Sequence, residues 1–96
     1  MAGARIRVEY FPGIIQATGG RRSETVELAD PTLAALWREL VTRYGRPFED
    51  LLFDSSTGKF SRYIIISING VLTHDREGPL QDGDEVAVSP ILSGGG

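Results

Sequence analysis

Residues 30–45 read DPTLAALWRELVTRYG and predict the one long helix of the chain. Asp30 is the expected N-cap, and Pro31 occupies the first helical position, where its missing N–H costs nothing. Gly45 stands where a glycine commonly ends a helix. The stretch therefore predicts an amphipathic helix over residues 31–44. Its buried stripe is expected to hold Leu33, Leu36, Trp37, Leu40, Val41 and Tyr44.

Two segments before this helix predict an antiparallel hairpin with a long connection. Polar and apolar residues alternate in residues 5–11 and 23–28, as in strands with one buried face. Pro12-Gly13 ends the first of these strands, and a glycine-containing loop over residues 18–22 leads into the second. The inward-facing side chains are expected to be Ile6, Val8, Tyr10, Val26 and Leu28.

After the helix, the sequence predicts further strands that are joined mostly by tight turns. Asn69-Gly70 is a strong signal for a two-residue hairpin turn. The elements expected around it are a short helical turn over 47–53, strands over 62–69 and 85–89, and a brief pairing at 71–72. This order of elements predicts a two-layer α+β fold, although the pattern alone leaves the order of strands in the sheet open.

Composition excludes several classes of function. The 96 residues form one domain, and 41% are hydrophobic, which is enough for a core without disulfides or a structural metal. A net charge of −3 with no basic stripe argues against nucleic-acid binding. The chain has no cysteine, no signal peptide and no apolar run long enough to span a membrane, so a cytoplasmic location is expected.

Side chains that carry chemistry elsewhere form no convincing site here. His74 is the sole histidine and lies on a polar loop without further ligands at metal-binding spacing. Residues 19–23 contain glycines and arginines but lack the Lys-Ser/Thr pair of a phosphate-binding loop. We therefore expect no metal site, no stably bound cofactor and no enzyme activity of the chain's own.

The C-terminus has a different composition. Pro90 is expected to prevent further strand pairing, and the chain closes with Gly94, Gly95 and Gly96. This division predicts a folded domain over residues 1–89 and a flexible tail over 90–96, which spans about 23 Å when fully extended. A glycine tail passes through a channel too narrow for side chains and delivers its carboxylate inside another protein. A frayed end without function is the alternative.

Several segments resemble the MoaD/ThiS family of ubiquitin-like sulfur carriers, and in particular the small subunit of molybdopterin synthase. The most specific is Leu-Gln-Asp-Gly-Asp-Glu-Val over residues 80–86, followed shortly by a terminal Gly-Gly. The resemblance implies a β-grasp fold, with a mixed sheet packed on one main helix. The other matching segments, in the family's order, are residues 6–11, 31–33, 68–70 and 88–95.

The resemblance also implies a mechanism that uses the tail. A ubiquitin-activating-type adenylyltransferase would use ATP to convert the terminal glycine to an acyl adenylate, and a sulfur donor would then displace AMP to leave a thiocarboxylate. The sulfur would pass to a synthase large subunit or another acceptor. Family members usually stop at Gly-Gly, so either Gly95-Gly96 is the terminal pair or Gly96 is trimmed. Ile91 replaces a proline that is frequent in the molybdopterin-synthase subunit.

Strand alternation predicts a partner surface beside the tail. If the inward-facing positions pack on the helix, the intervening apolar positions form an exposed patch, unless residues 46–61 cover the sheet. The expected members are Phe11, Tyr63, Ile65, Ala87, Ile91 and Leu92.

Molybdopterin biosynthesis is the first expected destination of the sulfur. Thiamin, cysteine and tRNA thiolation are alternatives within the same chemistry. A protein modifier joined to target lysines through the same tail is the alternative from another class, and a binding module without tail chemistry is a third.

Overall fold

The computed structural model describes residues 3–91, which form one mixed sheet with two α-helices. The strands are β1 (Ala4–Tyr10), β2 (Ser23–Leu28), β3 (Ile64–Ile68), β4 (Val71–Thr73) and β5 (Glu85–Pro90). The helices are α1 (Leu33–Tyr44) and α2 (Arg46–Leu52), with a short 3₁₀ helix at Ile15–Thr18. None of the helices within these residues is long and apolar enough to cross a membrane.

The first and last strands lie side by side in the middle of the sheet. The strand order is β2-β1-β5-β3-β4. β1 runs parallel to β5, while the β1–β2, β3–β5 and β3–β4 pairs are antiparallel. This is the β-grasp arrangement, so the predicted α+β fold class is confirmed.

One face of the sheet carries the core. Ile6, Val8, Val86, Val88 and Ile66 are fully buried, as their alternation predicts. Leu33, Leu36 and Leu40 of α1 are equally inaccessible, and Trp37 is 3% exposed. The short helical turn predicted over 47–53 is the helix α2, and its Phe48 and Leu52 join the same core. The second helix therefore packs on the inner face of the sheet beside α1.

The start of α1 differs from the prediction. Thr32, not Asp30, is the N-cap, because its Oγ1 accepts a hydrogen bond from the Ala35 N–H at 3.0 Å. Thr32 is extended and bridges to Pro79, and the Pro31 carbonyl accepts from the Leu80 N–H at 2.7 Å. This pairing holds residues 31–32 outside the helix, so the helix predicted over 31–44 begins at Leu33.

A buried carboxylate ties the β1–β2 hairpin to α1. Glu24 accepts hydrogen bonds from the hydroxyls of Tyr10 and Tyr44 and from Arg43 Nη1, the last at 2.9 Å. Its side chain is only 6% exposed. Burial opposes ionisation of Glu24, but these hydrogen bonds and the Arg43 charge outweigh that effect and lower its pKa below the ordinary value.

The end of β5 also differs from the prediction. Pro90 pairs with Ile64 as the last residue of the strand, and the Ile91 N–H still donates to the Tyr63 carbonyl at 2.7 Å. Successive N–H groups of a strand point to opposite sides, so the N–H that Pro90 lacks would face β1. β1 ends at Tyr10 and needs no donor there. The expectation that Pro90 stops the pairing is therefore wrong.

Candidate functional site

The end of β5, where the described residues stop, is held in place on two sides. The hydrogen bond from Ile91 to Tyr63 fixes the last described residue against the start of β3. On the other side, Pro90 packs against Gly13, where a Cβ would lie 3.0 Å from the proline Cγ. Gly13 also has a φ of +99°, which favours glycine. Pro90 and Ile91, the first two residues of the predicted tail, therefore form its close-packed base against the folded domain.

The apolar residues predicted to bind a partner surround this base on the outer face of the sheet. Phe11, Tyr63 and Ile91 are 41%, 65% and 45% exposed. Ile65 and Ala87 are half-buried on the same face, since they alternate with buried neighbours. The segment 46–61 forms α2 and a loop and does not cover them. We refer to these five residues, together with Leu72 below, as the apolar patch.

Leu72 is a member of the patch that sequence reasoning missed. It is 55% exposed and pairs with Ser67, which in turn pairs with Ala87, so all three side chains lie on the outer face. The tight turn at Asn69-Gly70, where both residues have positive φ, sets this register. The hairpin signal could have assigned Leu72 to this face, because a two-residue turn determines which residues pair.

Charged residues cover the other half of the outer face. Arg5, Arg7 and Glu9 alternate with the buried residues of β1, and Arg5 forms an exposed ion pair with Glu27 of β2 at 3.3 Å. Arg62 lies over the ring of Tyr63, with its Cζ 5.6 Å from the ring centroid. The exposed residues of the outer face are therefore mainly charged on β1 and β2 and mainly apolar on β3, β4 and β5, with Phe11 at the end of β1 and Arg62 beside Tyr63 as exceptions.

The remaining candidate groups form no catalytic cluster. His74 is exposed, and no group of histidine and acidic side chains within residues 3–91 could hold a metal ion. A cavity of about 850 Å³ lies on the helical side of the fold, lined by Trp37, Val41, Phe60 and the loop that contains His74. None of the predicted site residues that the structure describes lines it.

Four of the predicted site residues lie outside the described part of the chain. They are Leu92 of the expected partner surface and the three glycines expected to carry the chemistry, Gly94, Gly95 and Gly96. Their roles stay predictions. The structure places the other five predicted residues on one face, next to the point at which the tail begins.

Comparison with known proteins places this geometry in a family. The model of the ThiS family matches residues 8–95. The sulfur carrier protein CysO of Mycobacterium tuberculosis is 33% identical over 81 residues, covering 81% of this chain and 85% of CysO.

Two solved structures show how closely the fold is shared. Small archaeal modifier protein 1 from Methanosarcina acetivorans superposes with a TM-score of 0.81, at 21% identity, over 99% of this chain and all of that chain. Urm1 from Trypanosoma brucei gives a TM-score of 0.73 at 26% identity, with coverage of 99% and 100%. Because the family match spans nearly the whole sequence, this chain belongs to the ThiS family, with the β-grasp fold of ubiquitin-like proteins.

Proposed function

We propose that this protein is a sulfur carrier whose C-terminal glycine is adenylated and then converted to a thiocarboxylate. The observation that carries the proposal is the match to the ThiS family, which continues through the last strand to residue 95 and so includes Gly94 and Gly95. The similarity to the CysO sulfur carrier supports the same chemistry.

The tail is the reacting group, and activation by ATP overcomes its poor reactivity. A free C-terminal carboxylate has a pKa near 3.5, so it is an anion and a weak electrophile at neutral pH. Attack of one carboxylate oxygen on the α-phosphorus of ATP would form the acyl adenylate and release pyrophosphate. Sulfide would then attack the carbonyl carbon and form a C–S bond as the C–O bond to AMP breaks. AMP leaves with the bonding electron pair, so sulfur replaces one oxygen without a change of oxidation state.

The folded domain contributes recognition. The apolar patch offers an exposed surface to a partner, and exposed apolar groups grouped in this way mark protein interaction sites. Because the patch includes Ile91, a partner docked on it lies next to the start of the tail. We infer that the adenylyltransferase and the sulfur acceptor dock on this face in turn, because both must reach the same terminal carbonyl.

The sulfur carried by the C-terminal glycine has several candidate destinations. Delivery to molybdopterin through a synthase large subunit is the first candidate, and delivery to cysteine, thiamin or tRNA provides the alternatives. Ile91 stands where the small subunit of molybdopterin synthase often has a proline. This departure weakens the assignment to molybdopterin more than it weakens the assignment to a sulfur carrier.

Intact mass spectrometry tests the carrier function directly. The protein is incubated with extract of its host, ATP and a sulfide source, with a variant lacking Gly95-Gly96 as control. We expect the full chain to gain the mass difference between sulfur and oxygen, mapped to Gly95 or Gly96, and the truncated variant to stay unchanged. Adducts joined to lysines of other proteins, without a thiocarboxylate, would replace this proposal with the protein-modifier function. An unmodified tail in extract that loads a known carrier would exclude tail chemistry.

A further inference from the structure

We propose that Lys59 is an intramolecular acceptor for the activated tail, so that an acyl adenylate that meets no sulfur donor closes into a ring through an amide bond. The inference rests on the proposed activation of the C-terminus. Lys59 is the only lysine in the chain, against nine arginines. A guanidinium is too weak a nucleophile to compete, so this lysine and the N-terminal amine are the available amines.

Lys59 shares a surface groove with Tyr63, the residue that bonds to Ile91, and it also lines the cavity of about 850 Å³. It lies on the loop between α2 and β3 and is exposed. Its carbonyl accepts a hydrogen bond from the Asp54 N–H at 2.7 Å, which closes the loop. A surface groove of about 670 Å³ is lined by both Lys59 and Tyr63, and Tyr63 is the residue that accepts the hydrogen bond from Ile91.

Chain length shows that the terminal carbonyl can reach this amine. Four residue steps separate Lys59 from Tyr63, and with the hydrogen bond to Ile91 the two α-carbons at positions 59 and 91 are at most about 21 Å apart. The five residues after Ile91 span about 17 Å when extended, and the lysine side chain adds about 6 Å. Their combined reach of about 23 Å exceeds that upper limit, so the length of the chain permits ring closure.

The reaction is a simple acyl transfer. The unprotonated Nζ of Lys59 attacks the carbonyl carbon of Gly96, and a C–N bond forms as the C–O bond to AMP breaks. AMP leaves with the bonding electron pair, and the nitrogen loses one proton to solvent. No oxidant or metal is needed. The product encloses residues 59–96 in a ring and has no carboxylate left to carry sulfur, so closure would limit the lifetime of the activated carrier.

The test uses a chemically activated tail and so does not depend on the adenylyltransferase. The full chain is prepared as a C-terminal thioester by intein cleavage and incubated at about 10 μM, well below the millimolar effective concentration of a short tether. We expect a monomer lighter than the free acid by one water, and a proteolytic fragment in which Lys59 is joined to Gly96. In Lys59→Arg the ring should fall about tenfold or more, given the tether's advantage.

A relocated amine provides the matched control. The Arg5 carbonyl accepts a hydrogen bond from the Gly83 N–H at the far end of β1. Eight residue steps of about 3.3 Å separate Gly83 from Ile91, which is about 26 Å and beyond the reach of the tail. The double variant Lys59→Arg/Arg5→Lys has the same number of lysines and should not cyclise. Equal ring formation in Lys59→Arg, a predominant covalent dimer at every dilution, or hydrolysis alone would overturn the proposal.

The carrier function is checked separately in the same variant. Lys59→Arg should still acquire the thiocarboxylate in host extract, because the lysine has no part in sulfur loading. If Lys59→Arg forms no ring but still acquires the thiocarboxylate, the inference is supported. If the wild-type chain forms the ring from its thioester but acquires no sulfur in extract, Lys59 remains an acceptor and the proposed carrier function is excluded.

Discussion

At the scale of single residues, Glu24 is the side chain on which the β1–β2 hairpin and α1 depend together. Three side chains donate to its buried carboxylate, two of them tyrosines from different elements. Each donor would lose its acceptor if the carboxylate were removed, and unpaired buried polar groups are costly. Glu24 therefore contributes more to stability than the exposed carboxylate of Glu27, whose ion pair with Arg5 is open to solvent.

We predict that Glu24→Gln lowers the free energy of unfolding by about 1–3 kcal/mol at neutral pH. Since the pKa of Glu24 is lower in the folded state, its contribution is complete above the ordinary value of 4.5 and is lost as the pH falls through the folded-state value. Urea denaturation at neutral and acidic pH should show less loss on acidification in this variant than in the wild type. Glu27→Gln serves as the control, and equal pH dependence in all three proteins would contradict the assignment.

At the scale of elements, the beginning of α1 shows how tertiary contacts move a helix boundary. Asp30-Pro31 is a good local start signal, yet the Pro31 carbonyl accepts a hydrogen bond from the Leu80 N–H, and the Leu33 N–H donates to the Gly78 carbonyl. Those bonds keep Thr32 extended and make its hydroxyl the cap. The helix begins two residues later than predicted, because strand-like pairing occupies the backbone groups on either side of Thr32.

We expect Thr32→Ala to destabilise the protein by about 1 kcal/mol, because the Ala35 N–H loses its acceptor. Asp30→Ala changes the residue that the local sequence predicts as the cap. This variant should lower the free energy of unfolding clearly less than Thr32→Ala does. Thermal or urea unfolding of the two variants, with folding verified by circular dichroism, makes the comparison. A larger loss in the Asp30 variant would favour the local signal over the observed cap.

At the scale of the whole molecule, one face is divided between an apolar half and a charged half. The apolar patch gathers residues from β3, β4 and β5 and from the end of β1, and it includes Ile91, the last described residue before the glycines. The opposite side of the sheet is filled by α1 and α2. A partner that processes the tail therefore meets the patch without disturbing the core.

Truncation of the patch should impair binding without affecting folding. Tyr63→Ala and Leu72→Ala remove exposed side chains, so the unfolding midpoint should change little, while affinity for the activating enzyme should fall about tenfold if they are interface anchors. Binding of the purified enzyme by calorimetry measures this, and Arg38→Ala on the exposed side of α1 is the control. Equal affinity of all three variants would exclude the patch as the docking site.

Much of this protein was determined by the sequence alone. Period-two alternation selected the buried positions of β1 and β5, because a strand turns successive side chains to opposite faces. The amphipathic stripe selected the core of α1, and Asn69-Gly70 located the turn between β3 and β4, since that dipeptide readily adopts the positive φ angles required. That the glycine run at the C-terminus carries the chemistry stays a prediction.

Only the tertiary structure decided what depends on contacts between distant segments. The central pairing of β1 with β5, the cap at Thr32 and the pairing beyond Pro90 all result from backbone groups that find partners elsewhere in the chain. The placement of α2 left the apolar patch open, and the strand register added Leu72 to it. Local patterns report what a segment prefers, whereas these features depend on which neighbouring segment satisfies its hydrogen bonds and covers its apolar side chains.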